Sequence, residues 1–136
     1  MDITTERPSP EVAVLALDGE LDGSNFQDVI EAGRAALEAG ASRVVIDLGG
    51  LTNMGSSGLV AIHSIALLSR GKEPINPDDG WQAIHDIGSE ADADAGPTVL
   101  LAAPTPAVSR VLDRSGMASL FPVHPDRATA VAAASS

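Results

Sequence analysis

The sequence predicts a layered α/β domain on a mostly parallel or mixed sheet, and three observations carry that expectation. Short apolar runs rich in β-branched residues alternate with segments whose apolar residues recur every three or four positions, after an initial hairpin signal. One run, residues 43–48 (RVVIDL), is nearly unbroken, the pattern of a strand covered on both faces. Of the 136 residues 44% are hydrophobic, yet there is one tryptophan, two phenylalanines and no tyrosine, so one aliphatic core and a single domain over residues 1–136 are expected.

Residues 1–10 are polar, hold two prolines and read as a loose N-terminus. Residues 12–17 (VAVLAL) read as a strand ended by the turn dipeptide Asp18-Gly19. Glu20 and Leu21 then start the return strand of a hairpin, with Asp22 at its end. Ser24-Asn25-Phe26-Gln27 has the form of a capping box, with the Ser24 hydroxyl serving an N–H three residues on and Gln27 reaching back. Phe26, Val29, Ile30, Gly33 and Leu37 follow at helical spacing, and Gly40 suits the end of a helix over about 25–39.

The 43–48 strand belongs centrally in the sheet. The stretch it opens into, residues 48–68 (LGGLTNMGSSGLVAIHSIALL), reads as a strand end, a glycine-rich turn and an apolar helix. Leu59, Ile62, Ile65, Ala66 and Leu68 repeat at three and four, and Arg70-Gly71 closes the helix. Residues 72–97 differ in character: three prolines and seven carboxylates against Lys72, a net −6 of the chain's −11. Asp78-Asp79-Gly80 before Trp81, Ile84 and Ile87 suggests a short acid-capped turn within this acidic insertion, and the remainder reads as loop. Residues 98–103 (TVLLAA) restore a buried strand, and Pro104 and Pro106 stop it and start a helix over about 107–115. Val108, Val111 and Leu112 form its inner stripe and Gly116 ends it. A short strand over 120–123 and an alanine-rich helix after Pro125 complete the chain.

A net charge of −11 repels phosphate backbones and anionic lipid, and the scarcity of aromatics argues against base stacking, so no nucleic-acid partner is expected. The absence of cysteine excludes disulfides, thiol catalysis and Cys-containing zinc sites, which fits a reducing compartment. No apolar run approaches the roughly 20 residues of a membrane span, and MDITTERPSP lacks the basic start and apolar core of a signal peptide. The expectation is a cytoplasmic protein without membrane insertion; the oligomeric state is open.

Ser56 and Ser57 stand at a helix start, where unpartnered N–H groups and the helix dipole suit negative charge. Strand, turn and helix with an exposed serine is the setting of a nucleophile elbow, but Gly55-Ser56-Ser57-Gly58 is too compressed for Gly-x-Ser-x-Gly. His63, His85 and His124 have no evident orienting partner, so no catalytic residue is assigned. Neither a P-loop nor a dinucleotide turn occurs, and the acidic residues with His85 match no calcium loop, so no cofactor or metal is implied. Two readings remain for Ser56: a helix cap, or a switch in which a phosphate adds about −1.5 to −2 charges at a helix start that tolerates them while a docked partner is repelled.

A resemblance bears on that choice. Gly19-Glu20-Leu21-Asp22, Val45-Ile46-Asp47-Leu48, Leu51-Thr52-Asn53-Met54-Gly55-Ser56-Ser57-Gly58-Leu59 and the segment 99–112 (VLLAAPTPAVSRVL) with Ser115-Gly116-Met117 together resemble the STAS domain. They are most similar to its stand-alone bacterial form, the anti-sigma factor antagonists. The resemblance covers residues 12–133 in order, apart from the acidic insertion at 72–97. It implies a mixed four- to five-stranded sheet with helices packed mainly on one face. It also implies a non-enzymatic partner of an anti-sigma factor that is itself a serine kinase, switched by phosphorylation of the first serine of an Asp-Ser-Ser-Gly motif. That serine is Ser56, with Asp22, Ser24, Met54, Gly55, Ser57, Gly58 and His63 as partner-binding residues. The family's Asp is Gly55 here, which removes an anion from the helix start. The alternative is a STAS scaffold without a phospho-switch, as in a stressosome-like subunit or a transporter accessory.

Overall fold

The computed structural model describes residues 2–69, 99–116 and 121–134. Five strands form one sheet in the order β1-β2-β3-β4-β5: β1 (Asp2–Ser9), β2 (Val12–Leu21), β3 (Arg43–Met54), β4 (Val99–Ala102) and β5 (Val123–His124). β1 runs antiparallel to β2, and every other neighbouring pair is parallel, so the sheet is mixed and β3 is central. The helices are α1 (Phe26–Glu38), α2 (Ser56–Ser69), α3 (Pro106–Ser115) and α4 (Arg127–Ala134).

Alternation along the strands divides the core. Leu15, Leu17, Val44, Ile46 and Leu101 face α1, α2 and α3, whereas Val12, Val14, Val45, Leu100 and Ala102 face the back, under α4. Among the described residues, three of the four helices therefore share one face, as the resemblance implies. α1 ends in a Schellman motif: Ala41 N donates to Ala36 O at 3.1 Å and Gly40 N to Leu37 O at 3.1 Å, with Gly40 at φ 109°. α1 meets α2 at Gly33, where a Cβ would stand 2.6 Å from Cγ1 of Ile65. Thr105 caps α3 ahead of Pro106, and Gly116 terminates it at φ 80°.

Four local expectations are corrected. The N-terminal residues are not loose: Asp2 to Glu6 pair with Asp18 to Val14 as an exposed edge strand, and Pro8 falls in the register break between Glu6 and Ser9, where no ladder N–H is needed. The hairpin turn is therefore at Pro10 and Glu11, and Asp18-Gly19 lies inside β2, with Gly19 at φ 115°. Gly49 and Gly50 are not a turn either, because β3 continues to Met54. Its register against β2 slips by one residue at two places, between Ala16 and Asp18 and between Gly19 and Glu20, which are β-bulges. Gly50 is required there, since a Cβ would lie 2.6 Å from the Leu17 carbonyl.

The fourth correction is the capping box: Asn25 is the N-cap of α1 without a side-chain cap bond, and Ser24 turns back to Asp22 instead. The acidic insertion at 72–97, the Arg70-Gly71 stop and Leu120 lie outside the described residues.

Candidate functional site

The site forms at the C-terminal ends of β2 and β3. The two bulges add length to β3, so Met54 pairs with Leu21 and Gly55 N donates to Leu21 O at 3.0 Å before the chain enters α2. Gly55 is the residue before the helix, Ser56 and Ser57 are its first two, and Gly58 N closes the first turn on Gly55 O at 3.0 Å. Gly55 offers no side chain to the free N–H groups, so the anion-friendly helix start stays open. Ser56 is exposed and Ser57 half-buried, with its Oγ 3.5 Å from where a Cβ of Gly23 would be. The Asp22 turn and the start of α2 are thereby adjacent.

That turn is internally locked. Asp22 N donates to Asn25 Oδ1 at 3.0 Å, and Asn25 Nδ2 donates to Glu20 O at 2.8 Å. Asn25 N and Phe26 N both donate to Asp22 O, at 3.2 and 3.0 Å. The Ser24 hydroxyl and the Ser24 N–H, the latter at 2.9 Å, donate to Asp22 Oδ1 and hold this exposed carboxyl below the ordinary aspartate value. A negative charge at pH 7 thus stands in the turn that borders the start of α2.

Of the residues expected at a partner face, the structure brings Asp22, Ser24, Gly55, Ser56 and Ser57 to the surface at one end of the sheet. Met54, Gly58 and His63 are buried instead. Met54 is 2% exposed and belongs to the core. Gly58 is buried against it, since a Cβ would lie 2.3 Å from Met54 Cγ. His63 is fully buried, its ring edge-on to Phe121 at a centroid distance of 5.5 Å, and neither nitrogen has a hydrogen-bond partner among the described residues. Burial pushes its pKa down to about 4, so the ring is neutral at pH 7. It also lies seven residues along α2 from Ser56, roughly 10 Å at 1.5 Å per residue, too far to take a proton from that hydroxyl. These three residues shape the site from beneath.

Sequence reasoning missed Gly23, which sets the Asp22 turn against Ser57, and the clamp made by Asn25. It also missed Thr105, which donates to Leu51 O at 3.0 Å and ties α3 to the bulged end of β3. A threonine just before Pro106 was a readable cap signal; the other two depend on contacts between segments. Among the described residues no group of three His, Cys, Asp or Glu could hold a metal ion, and no helix is long and apolar enough to cross a membrane.

A family profile described as the MlaB STAS domain matches residues 4–73. Solved structures share the fold. An anti-sigma factor antagonist from Mycobacterium paratuberculosis superposes with a TM-score of 0.67 at 23% identity, over 99% of this chain and 96% of that one. A putative anti-sigma factor antagonist from Thermotoga maritima gives 0.70 at 18% identity, over 98% and 95%. The anti-sigma factor antagonist SpoIIAA in its unphosphorylated form gives 0.59 at 20% identity, over 90% and 87%. No curated protein matches the sequence. With half of its length matched by the family profile and the same fold throughout the described residues, the chain belongs to the STAS domain family.

Proposed function

We propose that the chain is an anti-sigma factor antagonist that docks an anti-sigma factor with serine kinase activity through the Asp22 turn and residues 55–57, and that Ser56 is the phospho-acceptor. The observation that carries this is the exposed Ser56 in the first turn of α2, whose start is joined to the strand end before the Asp22 turn by the Gly55–Leu21 bond. A phosphate there adds about −1.5 to −2 charges, which the helix start stabilises. The fold is therefore spared while a partner meets added negative charge at Ser56. Support comes from the fold shared with anti-sigma factor antagonists, one of which, SpoIIAA, is known in unphosphorylated and phosphorylated forms.

Intact-mass spectrometry after incubation with the cognate kinase and ATP tests the reading: one added phosphate is expected, lost in Ser56→Ala, and Ser56→Asp should bind the kinase more weakly than wild type. Equal binding of Ser56→Asp and wild type would overturn it. Gly55, in place of the family's aspartate, favours a second reading, a STAS scaffold with no phospho-switch, for which no phosphate is added.

A further inference from the structure

Among the described residues α4 is the helix behind the sheet, and its apolar hold is slight. It buries two alanines, Ala130 and Ala134, over Val12, Val14, Val45, Leu100 and Ala102, with Val131 half-buried at the margin. α1 by contrast buries Phe26, Val29 and Ile30, and a methyl group removes far less apolar surface than those side chains. What positions α4 is polar. Arg127 Nε donates to Asp47 Oδ2 at 2.8 Å, and Arg127 Nη1 pairs with Glu6. One guanidinium thus reaches from α4 to central β3 and to edge strand β1, spanning β2. The sheet face beneath is dry, with Val12, Val14, Val45 and Leu100 at most 2% exposed.

We propose that α4 is a salt-released strap: the Arg127 clamp holds it on the sheet, and weakening the clamp opens α4 as a unit while the other face stays packed. The clamp side chains of Arg127, Glu6 and Asp47 are 38%, 52% and 16% exposed, so mobile ions screen their attraction. Burial of apolar groups is not weakened by salt, so α4 and the front core respond differently to ionic strength. An element that buries only small apolar side chains also opens at the low end of the local-stability scale. Ser56 lies on a helix of the opposite face, so this strap stands or falls independently of the proposed phospho-switch.

Hydrogen exchange by mass spectrometry on the full chain tests it, comparing peptides from α4 and α1 in wild type, Arg127→Gln, Glu6→Gln and the surface-charge control Glu38→Gln. In wild type, about 1 M salt should speed α4 exchange roughly threefold to tenfold and leave α1 unchanged. Arg127→Gln should exchange that fast at low salt and lose the salt response; Glu6→Gln should fall between, and Glu38→Gln should match wild type. If salt leaves wild-type α4 unchanged, or if α1 accelerates in step with α4, the strap is refuted. The wild-type salt comparison decides the matter even if a variant misfolds.

Discussion

Gly55 N donates to Leu21 O at 3.0 Å, and that same carbonyl, 4.0 Å away, is the one atom a Cβ on Gly55 would meet. The position joins two loops of the site and still has room for a side chain. Gly55→Asp should therefore fold normally, and its carboxylate would accept from the free N–H groups of α2 and oppose the helix dipole. A gain of about 0.5 kcal/mol is expected in urea unfolding. Under the proposed function the same variant is phosphorylated faster by the kinase; an unchanged rate would show that the carboxylate is dispensable there.

Gly58 and Gly33 predict the opposite sign. Alanine at 58 gains about 1 kcal/mol of helix propensity but places a methyl 2.3 Å from Met54 Cγ in the core, where overpacking costs about 1–3 kcal/mol, so a net loss is expected from the shift of the urea midpoint. Alanine at 33 gains about 1 kcal/mol of helix propensity but meets Ile65 at 2.6 Å, and Ile65 is fully buried. Overpacking costs about 1–3 kcal/mol, so the clash outweighs the propensity and net destabilisation follows.

His63 ties stability to pH. Its folded pKa is about 4 against 6.5 ordinarily, so between these values the unfolded chain binds the extra proton. Stability is thus unaffected above pH 6.5 and falls as the pH drops toward 4, by about 3 kcal/mol in all. His63→Leu removes two unpaired buried nitrogens and should flatten the profile between pH 6.5 and 4, measured by urea unfolding at several pH values. An unchanged slope in that window would show that other groups carry it.

Ser24→Ala should leave global stability within about 0.5 kcal/mol, as expected for an exposed position. Because the Ser24 hydroxyl is the largest cause of the lowered Asp22 pKa, the variant should raise it toward the ordinary value, read by NMR titration of the Asp22 carboxyl.

The sequence by itself determined the order of the described strands and helices from α1 onward, the central place of β3, the glycine ends of α1 and α3, and the family. These follow from periodicity, turn chemistry and motif order, which are local in the chain. Only the tertiary structure decided that polar residues 2–9 form a strand, because β1 gains its ladder from β2 rather than from its own composition. The bulges that carry β3 through Gly49 and Gly50 are likewise set by register against β2. So is the fate of Met54, Gly58 and His63: which face of an apolar stretch meets a partner or the core depends on packing between segments far apart in sequence, such as Phe121 on His63. Ser56 kept its exposed place because a helix start is a local feature.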